Sequence, residues 1–246
     1  MPLSCVTERQ AIDHIVRRAV AGHGGWVITP NLDQLRQFRK YPQLRPMYAK
    51  ADLVLADGMP LIWASRIQRT PLPQRVAGSA LIFTLSETAA GAGLPVFLLG
   101  GNPGAAAHAA DELRKRYPSI KIAGTHCPPI GFDKDQTQIQ AIIELLRHAK
   151  PRIVFVGLGF PKQERLIERI RNAVPNAWFL GIGVSLSFVS GEIRRAPRWI
   201  QAVGLEWIHR MCQEPGRLAG RYLVHGIPFA ICMLAQALAA RWRSKP

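Results

Sequence analysis

Six short apolar runs, at residues 26–28, 53–56, 95–99, 120–123, 152–156 and 177–183, are separated by stretches whose apolar residues recur at helical spacing. Nothing else in the chain constrains its fold as tightly. Residues 4–22 show the helical pattern, with Val6, Ile12, Ile15, Val16 and Ala19 on one side and Glu8, Arg9, Asp13 and Arg17 between them. Further helical stretches are expected at 32–50, after residue 58, up to Gly91, and across 103–117 and 134–149. Short strands alternating with helices build an α/β domain, here a Rossmann-like, mainly parallel sheet flanked by helices. At 246 residues and 48% hydrophobic content, the chain has ample core for one such domain with an appendage.

Open sheets of this kind hold ligands beyond the C-terminal ends of their strands, so the residues that follow each run are the candidates for function. Thr29-Pro30-Asn31 follows the first run and Asp57-Gly58 the second. Asp57 has three readings: a general base, an acceptor for a sugar hydroxyl, or the cap of a helix begun by Met59-Pro60. Arg75, just before Gly78-Ser79, could face an anion together with the free N–H groups of the next helix, or Gly78-Ser79 could simply cap that helix. Gly100-Gly101-Asn102-Pro103-Gly104 joins a strand to a helix N-terminus, an arrangement suited to phosphate.

The run at 152–156 enters Gly157-Leu158-Gly159-Phe160-Pro161-Lys162-Gln163-Glu164. A dinucleotide site needs a third glycine and an acid ending the next strand. Lys162 stands where that glycine belongs and no such acid follows, so an NAD-dependent oxidoreductase is the weaker rival. The turns instead suit the diphosphate of another nucleotide, with Lys162 or Gln163 reaching the substrate. Asp133 and Asp135 have the spacing of a metal-binding pair but precede a helix, and are read as its cap, with no metal or cofactor assigned.

The chain carries 32 Lys and Arg against 16 Asp and Glu, a formal charge of +16, so its partners are expected to be anionic. From Arg194 onward the bases are Arg194, Arg195, Arg198, Arg210, Arg217, Arg221, Arg241, Arg243 and Lys245, against only Glu206 and Glu214. The apolar run from Leu223 to Ala240 is interrupted by His225, Gly226, Pro228 and Gln236, which makes a poor bilayer-spanning helix and a better interfacial one, facing anionic lipid. An ordinary core helix with a basic face is the alternative. Nucleic acid is not expected as a partner, because the charge lies beside apolar residues and no nucleic-acid motif accompanies it. We divide the chain into a catalytic domain, 1–193, and a basic, apolar appendage, 194–246. Cys5, Cys127, Cys212 and Cys232 show no metal-ligand spacing, and nothing at the N-terminus marks export, so reduced thiols inside the cell are expected.

Thr29-Pro-Asn31, Ala56-Asp-Gly-Met-Pro60, Arg75-Val-Ala-Gly-Ser79, Gly157-Leu-Gly-Phe-Pro-Lys-Gln-Glu164, Gly191-Glu-Ile-Arg-Arg-Ala-Pro197 and Gly204-Leu-Glu-Trp207 occur in that order, and with them the chain resembles the WecG/TagA/CpsF glycosyltransferases over about residues 10–222. The resemblance implies transfer of a sugar from a UDP-sugar donor to a sugar on a polyprenyl-diphosphate lipid, at the cytoplasmic face of the bacterial inner membrane. It implies Asp57 as general base, Thr29 and Asn31 lining its pocket, and Arg75 and Gln163 at further active-site positions. It also implies that Arg210, Arg217 and Arg221 lie in an appendage that completes the site and docks on the membrane. UDP-N-acetylmannosamine, its uronic acid and UDP-glucose are all compatible donors. The appendage could reach the pocket in its own chain or a neighbour's, which leaves the oligomeric state open. A membrane-associated nucleotide-binding protein without transferase activity is the alternative function.

Overall fold

A computed structural model describes residues 2–197, 199–200 and 204–243. Arg198 and Lys245 of the basic tail, and the side chain of Arg243, lie outside the described residues. The six strands are β1 (Gly25–Ile28), β2 (Leu53–Val54), β3 (Val96–Gly100), β4 (Ile122–His126), β5 (Ile153–Gly157) and β6 (Trp178–Gly181). They form one parallel sheet in the order β2-β1-β6-β5-β3-β4.

Right-handed crossovers send connections that step in opposite directions along the sheet to opposite faces. One face carries α1 (Glu8–Val20), α5 (Gly78–Gly91), α6 (Ala105–Arg116) and α9 (Ser185–Val189), packed on Val27, Leu53, Leu98, Phe155 and Leu180. The other carries α2 (Leu32–Lys40), α3 (Arg45–Ala49), α7 (Gln136–Ala149) and α8 (Lys162–Ile170), packed on Trp26, Ile28, Phe97, Val156 and Phe179. Successive strand residues thus serve opposite cores, which is why the runs read as continuously apolar.

Two boundaries differ from expectation. The helix expected over 32–50 breaks at Tyr41, because Pro42 disfavours helical backbone in the residue before it; a 3-10 turn and α3 follow. The fourth strand lies at Ile122–His126, starting two residues into the apolar run at 120–123 and ending three residues past it. It is an edge strand and only half-buried, so Thr125 and His126 extend it without an apolar signal. Gly124 is required there, because the Phe97 ring lies 2.6 Å from where a Cβ would stand.

After β6 and α9 the chain runs through residues 190–197 to a helix at Glu206–Gln213, then Pro215–Ala219, a π-helical stretch Gly220–Gly226, and Ile227–Arg243. His225, Gly226 and Pro228 do not interrupt this last helix as expected. Pro228 has no N–H to give, and the Ile227 N–H reaches back five residues to the Tyr222 carbonyl, so the helix widens instead of breaking. The resulting helix, Pro215–Trp242, has 28 residues, is long and apolar enough to cross a membrane, and is barely buried. It packs along α4 (Met59–Ile67) and α2, with Leu218 and Ala237 both buried. Those two residues are about 28 Å apart along a helix, so the body of the protein touches this helix over most of its length.

Candidate active site at the strand ends

The loops leaving neighbouring strands β1 and β6 depart to opposite faces, into α2 and α9, and so open a crevice at the C-terminal edge of the sheet. Asp57 lies beside this crevice. Backbone bonds fix it: Leu55 N–H donates to Ile28 O at 2.8 Å, Asp57 N–H to Pro30 O at 3.0 Å, and Val76 N–H to Ala56 O at 2.9 Å. Its carboxylate accepts the N–H of Gly78, the first residue of α5. Gly78 packs closely there: a Cβ on it would lie 3.1 Å from Thr29 Oγ1 and 3.3 Å from Ile182 Cα. Thr29, itself buried, donates through Oγ1 to Gly181 O at 3.1 Å and ties the ends of β1 and β6 together.

Two guanidinium groups and one further carboxylate complete the cluster. Arg75 Nη1 is 3.7 Å from Glu206 Oε2, and Arg195 Nε is 3.6 Å from Glu206 Oε1. Arg195 also donates to Ser79 O at 3.0 Å and to Ser79 Oγ at 3.1 Å, on the first turn of α5. Asp57 keeps some solvent access, yet protein atoms surround it closely, and burial pushes its carboxyl from 3.8 up to about 6. Arg75 pulls that value down, Glu206 raises it, and the Gly78 N–H and Arg195 pull it down again. Such a carboxyl is ionised at neutral pH and basic enough to take a proton from a hydroxyl, while the arginines and the α5 N-terminus offer charge to an anion.

The glycine turns lie farther along the same edge. Gly100 and Gly101 end β3, four strands from β2, or about 19 Å at ordinary strand spacing, so Asp57 and these glycines are not brought together. Gly101 N–H donates to Gly157 O at 2.8 Å, and a Cβ on Gly100 would lie 2.7 Å from that same oxygen. Gly100 serves the close approach of β3 and β5, while a Cβ on Gly101, at φ 82°, would lie 2.9 Å from Ala105 Cβ. Gly159, at a positive φ of 73°, turns the chain toward α8 after β5.

A family model described as the WecG/TagA/CpsF family of glycosyl transferases matches residues 1–243. The chain belongs to that family. A curated relative from Bacillus spizizenii, N-acetylglucosaminyldiphosphoundecaprenol N-acetyl-beta-D-mannosaminyltransferase, is 30% identical over 194 residues, covering 79% of this chain and 73% of the relative.

In this WecG/TagA/CpsF glycosyltransferase the remaining candidates take varied positions. Asp57 does not cap the helix after it: the cap position of α4 is Gly58, at φ 149°, with no side-chain bond, and Asp57 turns to α5 instead. Asn31 caps α2, accepting the N–H groups of Asp33 and Gln34, both at 3.1 Å. Gln163 is buried, and both ends of its amide are committed within the protein: Nε2 donates to Glu164 Oε1 at 2.8 Å and Oε1 accepts the Gly183 N–H at 2.9 Å. Through these bonds it braces the turn after β6. Lys162, half-exposed, faces Asp133 Oδ1 at 3.6 Å, and Asp135 caps α7 by accepting Thr137 N–H at 2.8 Å.

The tail arginines separate. Arg221 Nη2 meets Asp33 Oδ2 at 3.0 Å, beside Asn31 on the first turn of α2; Arg210 lies over the Phe188 ring, 5.6 Å from its centroid; Arg217 pairs with Glu214. Asp33 also receives Arg36 and Gln37, so it forms a socket for the tail. Arg195, Glu206 and Asp33 were not singled out from the sequence as site residues. A signal existed for one of them, since Glu206 is one of two acids in a strongly basic segment and such an acid invites a cationic partner. Glu164 gave no such signal. It is buried, its carboxyl is pushed up to about 7 by burial, and its Oε2 has no hydrogen-bond partner among the described residues.

Proposed function

We propose that this glycosyltransferase moves a sugar from a UDP-sugar to a sugar carried on a polyprenyl diphosphate, with inversion, in the assembly of a bacterial cell-surface glycopolymer or exopolysaccharide. The observation that supports this most is the group of Asp57, Arg75, Arg195 and the α5 N-terminus at the strand-end crevice. Asp57 takes the proton of the acceptor hydroxyl as its oxygen bonds to the anomeric carbon; the bond from that carbon to the diphosphate breaks, and UDP leaves with the electron pair. Arg75, Arg195 and the helix N–H groups offset the charge that builds on the leaving diphosphate. Thr29 and Asn31 shape the floor, the first by joining β1 to β6 and the second by fixing the start of α2.

The relative's activity toward a diphosphoundecaprenol-linked N-acetylglucosamine supports a lipid-linked acceptor of that class. UDP-N-acetylmannosamine, its uronic acid and UDP-glucose are the donors to compare. We assign residues 1–193 to the catalytic body and 194–246 to an appendage that works at the cytoplasmic membrane face. Its apolar helix rests against the body while Leu223, Val224, Ile231, Leu238 and Trp242 face outward, which suits a helix lying in the interface beside anionic lipid.

The test is to incubate each donor with a short-chain polyprenyl-diphosphate N-acetylglucosamine and weigh the lipid product. A mass gain of one sugar with one donor, lost in Asp57→Asn, supports the reading. Nucleotide binding with no mass gain from any donor overturns it in favour of a binding protein.

A further inference from the structure

Resting on the transferase reading above, we infer that Glu206 is a positioning residue: the tail delivers its carboxylate between Arg75 and Arg195, where it spreads the two guanidinium groups across the mouth of the pocket and keeps both from closing on Asp57. The geometry that delivers it is specific. Gly204, at φ 78°, passes so close to the first turn of α4 that a Cβ would stand 2.4 Å from Met59 Cγ and 2.9 Å from its Cβ. Any side chain there would push the tail outward and withdraw Glu206 from the arginines. Glu206 opens its own helix, where a carboxylate also answers the positive end of the helix dipole.

The side chains of Glu206, Arg75 and Arg195 are 14%, 20% and 22% exposed, so their charges are only partly screened by water. Two arginines facing one carboxylate would clamp it in its ionised form and leave a poor base. With Glu206 the count is two and two. Each oxygen of Glu206 takes one arginine, at 3.7 and 3.6 Å, which is attraction without a close hydrogen bond. The buried Arg195 Nε has no hydrogen-bond partner among the described residues and is therefore a donor in reserve. An incoming diphosphate can draw both arginines onto its oxygens over a short distance, and the negative charge that Glu206 leaves behind still opposes the arginines' pull on Asp57. The charged groups that face Asp57 among the described residues are Arg75, Glu206 and Arg195, together with the Gly78 N–H.

The experiment is the pH profile of kcat/KM in intact protein bearing Glu206→Gln or Glu206→Asp. Glu206→Gln should move the acid limb to lower pH by about one unit and slow transfer at neutral pH about tenfold. Glu206→Asp should return the limb toward its original position. A limb that does not move in Glu206→Gln overturns the inference even if the rate falls, because loss of a merely structural tail contact would scale the profile without shifting it. Should Glu206→Gln fail to fold, Arg195→Gln should move the limb upward, and an unmoved limb there overturns the inference equally. The Asp57 carboxyl carbon resonance, identified by its absence in Asp57→Asn, titrates without turnover. A Glu206-dependent titration in a protein that transfers no sugar refutes the transferase reading alone; normal transfer with an unaltered titration refutes the role of Glu206 alone.

Discussion

Replacing Asp57 by Asn should make the protein more stable at pH 8 while it abolishes transfer. Burial raises the Asp57 carboxyl from 3.8 to about 6, so the folded state holds a proton that the unfolded state releases. The folded protein is thus favoured by this group below pH 3.8, and that advantage is lost as pH rises through about 6. Above pH 7 the ionised Asp57 costs up to about 3 kcal/mol, and about 1–2 kcal/mol after allowing for solvent at the pocket mouth. Asn can still accept the Gly78 N–H, so its effect is mainly to remove that charge. For a chain of this size the gain corresponds to a rise in Tm of about 2–8 °C. Thermal unfolding followed by circular dichroism should show the two proteins nearly level at pH 4, the gap opening through pH 6 and constant above pH 7. Equal stability at pH 8, or a gap that does not change with pH, would refute the assignment of Asp57 as a strained carboxylate held for chemistry.

Gly78→Ala should slow transfer more than tenfold and cost about 1–3 kcal/mol, because its Cβ meets Thr29 and Ile182 and pushes the α5 N-terminus off Asp57; urea unfolding and the transfer assay read the two effects. Gln163→Leu should cost about 1–3 kcal/mol by leaving the Gly183 N–H and Glu164 without their partner, while Gln163→Glu should show a loss of stability that deepens as pH rises, since it adds a second buried carboxylate beside Glu164; denaturant titrations at pH 5 and pH 8 check both. Asp33→Asn should loosen the tail by removing the partner of Arg221, seen as faster tryptic cleavage at Arg217 and Arg221 with an unchanged core fragment.

The sheet was legible because the strands buried on both faces had to be apolar, the half-buried edge strand β4 excepted, and because each was followed by a helix. The candidate site was legible as residue types at strand ends: Thr29, Asp57 and Arg75 do converge, since β1 and β2 are neighbours and Gly78, which opens the helix after Arg75, lies against Thr29 and bonds Asp57. The order of the strands was not legible, so Gly100 and Gly101 looked as near to the chemistry as Asp57. Gly100 meets a steric need at the β3–β5 contact and Gly101 one against Ala105, and sequence alone does not separate such a need from the close approach of a phosphate. For Gln163 the sequence gives the strand-end position but not its internal partners, Glu164 and the Gly183 N–H. Arg195 and Glu206 depend on the tail folding back across more than a hundred residues onto Arg75 and Ser79, a contact that no local pattern encodes. The long helix escaped because Pro228 and Gly226 usually end helices, whereas here a five-residue backbone bond carries the chain past them.

The most direct measurement is release of UDP from UDP-N-acetylmannosamine and UDP-glucose, with and without a polyprenyl-diphosphate sugar, in the intact protein and in Asp57→Asn. Release from one donor should require both the lipid-linked acceptor and Asp57, with nucleotide binding intact in the variant. Release that proceeds equally in Asp57→Asn, or no release from any donor despite bound nucleotide, would contradict that expectation.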